Sequence, residues 1–356
     1  MLYESELVRS AIDARARHIS KLKIDIHGAA RPKMQTQLKH RPNEWMTYSQ
    51  FLYRASTILD CTNTCFIVPV LNDELETVGI YPLLPFYATV IDYNGEPWLK
   101  YQFNNGYVGA VELQKCAILT KYQYKNEWFG ESNGALDDTM ALLNIQNQGI
   151  QEAVKNSASY RFIAKLTNFA KPEDLTKERM RFTRENLSAN ADGGGLLLFP
   201  NTYSDVKQIE SKPYTVDSSQ MEYIRSNVER YYGVNPKVLE NSANGDELDA
   251  FYNGAIEPFA IQLAESLSGA LFTDVERSHG SYVLVLANKL QYMSTTAKVQ
   301  MAKELGDRGV LTINEIRELF NYSPIDGGDE AVIRGEYYAL TEKVTGEDEN
   351  ENNAEL

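Results

Sequence analysis

Residues 217–273 constrain this chain more than any other stretch. They read as a short helix, a tight polar loop and a long helix broken in the middle. Ser219 and Glu222 have capping-box spacing, which marks a helix start. Met221, Ile224, Val228 and Tyr231 then share one face. Gly233 stands where a left-handed residue ends a helix, and Pro236 is expected to stop it restarting. The loop at 239–245 is short and polar. Asp246, with Asp249 three residues on, is expected to cap the next helix. That helix carries Leu248, Phe251, Ala255, Ile256, Phe259, Leu263 and Leu267 at helical spacing. Pro258 interrupts it. A proline lacks an N–H and presses on the carbonyl four residues back, here that of Gly254. An interior proline costs roughly 3 kcal/mol, so a kink is expected. Two readings stay open: a bent core helix, or a bent lever that holds a loop into a cavity or channel.

The run Tyr231-Tyr232-Gly233-Val234-Asn235-Pro236-Lys237-Val238-Leu239, the polar loop, and the helix from Phe251 to Pro258 together resemble the core of phage portal proteins of the HK97 type. A second likeness lies in Gly309-Val310-Leu311-Thr312-Ile313-Asn314-Glu315-Ile316-Arg317, continuing through Pro324 and Gly327-Gly328-Asp329. No catalytic chemistry requires either motif. Their order and spacing carry the resemblance, which covers most of the chain.

At 356 residues the chain exceeds one compact core, so two or three lobes are expected. No apolar run approaches a membrane span, and residues 1–17 read as a charged amphipathic helix, not a signal peptide. Cys61, Cys65 and Cys116 are too few and too irregular for a disulfide framework and fit a reducing cytoplasm. The net charge of −14 disfavours a protein that grips DNA, because phosphate contacts supply most of such affinity. The same charge is compatible with enclosing DNA that must slide, and solubility explains it more simply.

In chain order, 3–22 reads as a helix. Residues 29–42, polar and basic, read as a loop or arm; Arg9, Arg15, Arg17, Lys21, Lys23, Arg31, Lys33, Lys39 and Arg41 cluster in this part of the chain, either as a solvated segment or as a contact for an acidic neighbouring subunit. A second helix covers 48–60, with Phe51 and Tyr53 on an aromatic face. Strands follow at 66–71, 78–82, 88–93, 98–103 and 111–119, with Asn94-Gly95 as a turn signal. After a glycine-marked break at 130–134, a helix spans 135–156, with Asp137 and Asp138 at its N-terminal end. A strand at 160–166, a helix at 172–187, a triple-glycine turn at 193–195 and strands at 196–199 and 204–209 come next. From 158 to 190 there are seven basic residues against four acidic ones, a local excess that suits DNA, an acidic docking partner or simply a solvated helix face. Beyond the broken helix lie a strand at 282–286, helices at 295–305 and 313–320 (the latter capped by Thr312 with Glu315), a turn at 322–329 and a short element at 336–340. The acidic tail 346–356 is expected to be disordered.

Catalytic and metal motifs are not evident. His18, His27, His40 and His279 share no ligand spacing. Cys61 and Cys65 lie one helical turn apart and read as small core residues. The triple glycine lacks the lysine–serine pair of a phosphate-binding loop. No cofactor is expected.

The portal resemblance implies an α+β fold with a mixed α/β wing (1–134), a first stem helix (135–157), a small α/β clip (158–216), a second stem helix (217–234), a tunnel loop (235–247), a kinked helix returning to the wing (248–293), a helical crown (294–342) and an acidic tail (343–356). It implies a non-enzymatic structural subunit of a homo-dodecameric ring at one capsid vertex of a virion, assembled in the bacterial host's cytoplasm. Double-stranded DNA would pass through the ring. Its partners would be the large terminase subunit, head–tail connector or adaptor proteins, and capsid and scaffold proteins, with no membrane. Asn241, Ser242, Asn244, Asp246 and Glu247 would face DNA. Asp246 and Glu247 would resist phosphate instead of holding it. Lys171, Lys177, Arg181 and Arg184 would form a basic clip face, and Gly254 and Pro258 the kink. The competing readings are a metal-independent enzyme with a cleft between lobes, and a generic scaffold or adaptor.

Overall fold

Helix α1 (Glu6–Ile19) buries Val8, Ala11, Ile12, Ala16 and Ile19 along one stripe, the spacing that makes a core-facing helix. The computed structural model describes residues 2–28, 31–74, 76–157, 161–166, 172–182, 203–209, 218–286, 295–320 and 322–333. They fall into two units: Met1–Ser132 with Glu229–Leu356, and Asn133–Val228. The triple glycine, the strand expected at 196–199, the element expected at 336–340 and the acidic tail lie outside the described residues. Among the described residues no helix is long and apolar enough to cross a membrane.

In the first unit α1 packs on α3 (Tyr48–Thr62). Thr47 and Gln50 start α3 with a reciprocal capping box, and Phe51, Leu52, Ala55, Ile58 and Leu59 are buried. Residues 32–40 correct the expectation of a loop or arm: Pro32–His40 is a helix, α2. Its basic composition hides the pair Met34 and Leu38, four residues apart and both buried. Pro32 begins it, because its fixed φ suits a first helical position. The flanking charges bind within the chain, Arg31 to Glu276 at 3.1 Å and Lys39 to Asp25 at 2.8 Å.

Strand β1 (Lys23–His27) pairs antiparallel with a late strand, β10 (Tyr282–Leu286). Strand β2 (Thr64–Leu71) lies between β3 (Thr77–Leu83) and β7 (Ala117–Thr120), both antiparallel to it. A second sheet is the meander β4 (Tyr87–Tyr93), β5 (Glu96–Gln102) and β6 (Val108–Glu112). Asn94 and Gly95 turn β4 into β5 with φ of 57° and 83°, as a two-residue hairpin requires. Phe66, Val68, Leu83, Leu99, Leu113 and Cys116 form the core these strands share. The single strand expected at 111–119 is instead β6, a 3-10 turn at Leu113–Lys115 and β7. The turn buries Leu113 and moves the chain from one sheet to the other.

Helix α9 (Glu257–Leu271) lies against β7 and β10. It buries Phe259, Leu263, Leu267 and Leu271, each such burial being worth about 1.5–3 kcal/mol. The Ser268 hydroxyl accepts from the Val283 N–H at 2.8 Å on the side of β10 away from β1. The last described helices are α11 (Thr295–Asp307) and α12 (Ile313–Leu319). Thr312 and Glu315 cap α12 reciprocally, as expected. The Asn314 side chain binds Ile325 and Asp329 and so ties down the turn that follows.

The second unit contains α4 (Asp137–Ser157), the antiparallel pair β8 (Arg161–Leu166) and β9 (Tyr203–Ile209), α5 (Pro172–Phe182) and the start of α6 (Ser218–Tyr232). The Gln146 amide donates to Gln220 at 3.1 Å, joining α4 to α6. Asp137 and Asp138 occupy the first turn of α4, where the helix dipole favours them. Leu142 and Ile145 on α4 and Tyr223 on α6 are exposed. Helix α6 starts one residue before Ser219, so Ser219 sits inside the helix and is not its cap.

Candidate functional site

The chain between α6 and α9 passes through two left-handed residues, Gly233 and Asn241. Gly233, at φ 67°, ends α6. Val234 N–H donates to Glu229 C=O at 2.9 Å and Gly233 N–H to Arg230 C=O at 3.2 Å. These are the two bonds of a Schellman ending, with Val234 buried beneath it. Pro236 does not prevent a new helix, as the sequence suggested, but opens one: α7 (Pro236–Leu239), capped by Asn235 through Val238 N–H at 2.8 Å. The missing N–H of a proline is harmless at a first helical position. Helix α7 ends the same way as α6. Asn241 is left-handed at φ 56°, with Ser242 N–H on Lys237 C=O at 2.8 Å and Asn241 N–H on Val238 C=O at 3.3 Å.

Helix α8 (Gly245–Phe251) is capped by Asn244 and not by Asp246. Asn244 Oδ1 accepts from Glu247 N–H at 2.9 Å, and Glu247 Oε2 accepts from Asn244 N–H at 3.0 Å. The glutamate decides the start, because at the third helical position it reaches back to the cap's own N–H. Glu247 also forms an ion pair with Lys237 on α7. Lys237, and then the Asn244 N–H, hold its carboxyl below the usual range. The structure therefore brings Asn241, Ser242, Asn244, Asp246 and Glu247 onto one short segment. Asn241, Ser242, Asn244 and Asp246 are exposed, whereas half-buried Glu247 is turned to Lys237.

Behind this loop the helix changes register. Tyr252–Ile256 is a π turn, in which Glu257 N–H donates to Tyr252 C=O five residues back. Pro258 follows immediately, in the first turn of α9. The wider turn accommodates a residue with no N–H to give. A Cβ at Gly254 would meet nothing within 4 Å, so crowding does not demand that glycine.

Two side chains of α1, Arg15 and His18, reach this turn. Arg15 Nε and Nη2 both donate to Ala255 C=O, at 3.3 and 3.2 Å. Its Nη1 pairs with Asp60 of α3. Asp60 is fully buried and Arg15 is 6% exposed. Lys121, just after β7, also donates to Asp60, at 2.8 Å, with its ammonium near the Tyr122 and Tyr232 rings. Burial pushes the Lys121 amine down, against the pull of Asp60. This cluster was not anticipated. Arg15 read as one of many basic residues and Asp60 as a helix end. The available signal was that Arg15 falls on the apolar stripe of α1, four residues from both Ala11 and Ile19.

His18 Nδ1 lies 3.0 Å from the Tyr252 hydroxyl, and its ring meets Phe251 edge-on. Burial, then repulsion from Lys21 and Arg17, pushes its imidazole from 6.5 down to about 4. Between those values the unfolded chain binds more protons than the folded one, so stability should fall as pH drops from 6.5 to about 4 and level off below. H18Q keeps a polar partner for Tyr252 and should flatten that limb in denaturation midpoints taken across this range. An unchanged slope in the variant would refute the assignment.

The expected basic residues belong to the second unit. Lys177 and Arg181 are exposed on α5, Arg181 pairing with Glu178 at 2.5 Å. Lys171 and Arg184 lie outside the described residues. Burial raises the thiols of half-buried Cys61 and buried Cys65 to about 11 and about 12. Among the described residues no group of three or more histidine, cysteine, aspartate or glutamate side chains could hold a metal. A groove of about 690 Å³ between α9 and β10 is mostly apolar, with Glu257 and Glu265 at its wall and the Ser268 hydroxyl already engaged with β10.

The family model described as "Phage portal protein" matches residues 6–321. The portal protein of Enterobacteria phage HK97 is 25% identical over 139 residues, which are 36% of this chain and 32% of that protein. This curated relative is thus matched over about a third of its length. Among solved structures, the neck of the native gene-transfer-agent particle computed with C12 symmetry has a TM-score of 0.57 at 14% identity, covering 91% of this chain and 92% of that one. An HK97-family phage portal protein from Corynebacterium diphtheriae has a TM-score of 0.53 at 12% identity, covering 81% and 94%.

Proposed function

This chain belongs to the phage portal protein family, and from that premise we propose that it assembles into a closed ring at one capsid vertex of a virion, with double-stranded DNA passing along the axis. The observation that carries the reading is the family match from residue 6 to 321, which runs through both units and the whole α6–α9 segment. The role is structural, and the ring itself carries no catalytic chemistry. Twelve copies is the number favoured by the symmetry used for the related gene-transfer-agent neck. Exposed Leu142, Ile145 and Tyr223 suit burial against a neighbouring copy.

The 240–244 loop is the segment that faces DNA. It is polar and short, held between two capped helices. A net charge of −14 lets a duplex slide without being gripped. Because Lys237 neutralises Glu247, exposed Asp246 supplies the repulsion here. The 158–216 segment, with exposed Lys177 and Arg181, is the docking surface for the large terminase subunit and then for head–tail connectors. Capsid and scaffold proteins contact the ring as it assembles in the bacterial cytoplasm.

Electron microscopy of the purified protein tests this. Closed rings with an axial hole wide enough for duplex DNA are expected. Persistent monomers would overturn the proposal in favour of an enzyme, and assemblies without such a hole in favour of an adaptor.

A further inference from the structure

The ladder slips by one residue at Tyr252–Ile256, and Pro258 lacks the N–H that Gly254 C=O would take in a regular helix, so this stretch is short of internal hydrogen bonds. The guanidinium of Arg15 takes up Ala255 C=O from the side, with two nitrogens on one oxygen. Its third nitrogen is fixed by the buried carboxylate of Asp60. A planar fork does both at once, whereas a lysine ammonium, a compact point charge, would satisfy Asp60 and lose the double contact. His18, one turn further along α1, meets the Tyr252 hydroxyl at the other end of the same turn. Helix α1 therefore holds the π turn at two points. On the far side of the turn lie α8 and the polar loop, which the Lys237–Glu247 ion pair joins to α7.

We propose that Arg15, braced by Asp60, is a positioning residue: it locks the π turn at Ala255 and so sets where α8 and the 240–244 loop point. The significance of that aim rests on the reading of the loop as DNA-facing, but the lock itself does not. Pro258 and Arg15 form one device. The proline removes the regular donor of Gly254 C=O, and the arginine holds the next carbonyl, that of Ala255, from outside the helix.

Hydrogen–deuterium exchange on the full-length assembled protein tests this with R15K, which keeps a cation beside Asp60. Amides from 245 to 259 should exchange about tenfold faster, the change expected for one lost charge-assisted hydrogen bond, while those of β2 and β3 stay unchanged. In the P258A background, where a restored N–H permits the regular register, R15K should add little. Unchanged exchange at 245–259, a uniform rise across the chain, or an equal increment with and without P258A would each overturn the proposal. If R15K does not fold, the structure of P258A alone decides, since residue 258 is exposed. With Gly254 C=O given its regular donor, the turn should tighten and the loop should move; an unmoved turn would overturn the proposal. A packaging assay on R15K separates this from the channel reading. A loosened loop with normal packaging supports the lock and sinks the loop's role at DNA. A tight loop with impaired packaging sinks the lock and leaves the channel reading intact.

Discussion

Replacing Asp60 by alanine is expected to cost about 3–5 kcal/mol of stability, because it removes the anion from a buried pair and strands the cation. Asp60 is fully buried, Arg15 nearly so, and the Lys121 side chain is 17% exposed. Two cations thus lose one carboxylate in a place water hardly reaches. A control sets the scale: Lys23 and Glu318, 2.6 Å apart, are both exposed, and E318A should cost at most about 1 kcal/mol. Denaturant unfolding at one fixed protein concentration measures both, since assembly would otherwise shift the midpoints. A triple variant, R15M with D60L and K121M, should recover much of the loss, because apolar groups of similar volume leave no buried charge behind. A cost for D60A no larger than that for E318A would mean the cluster is wet or dispensable.

Deleting residues 241–245 should leave ring assembly intact and reduce packaged DNA by an order of magnitude or more. The folding argument is local. The deletion removes the Asn241 reversal and the Asn244 cap, and losing a cap costs about 1 kcal/mol. The buried anchors on either side, Val238 and Phe251, remain. Ring mass by native mass spectrometry and DNA protected from nuclease in particles are the two readouts. Rings of wild-type mass with wild-type packaging would remove the loop from any role at the duplex. Failure to form rings would place the loop in the subunit interface.

Where each helix and strand begins was largely readable wherever one local signal had no rival. Gly233 at a helix end, Asn94-Gly95 in a hairpin and Thr312 with Glu315 all behave as their chemistry requires. The misreadings arose where two signals competed over a few residues. Asp246 with Asp249 and Asn244 with Glu247 have the same spacing, and the longer glutamate won because it reaches the cap. Pro236 ends one helix's territory and opens another, and both roles suit a proline. In α2 the basic residues outnumber the two apolar ones that anchor it. The Arg15–Asp60–Ala255 cluster was invisible for a different reason: its members lie 45 and 240 residues apart in sequence, and no local periodicity encodes such a meeting. The π turn was readable only as an expected break at Pro258, because the register of a helix depends on what satisfies its carbonyls from outside.

Strand β10 has one further consequence for a protein made in many copies. Its flank away from β1 would be a template for adventitious strand addition from any neighbour that drifts close. The Ser268 hydroxyl accepts from Val283 N–H there, in the place a strand's carbonyl would take. A single alcohol thereby occupies a main-chain donor that an added strand would need.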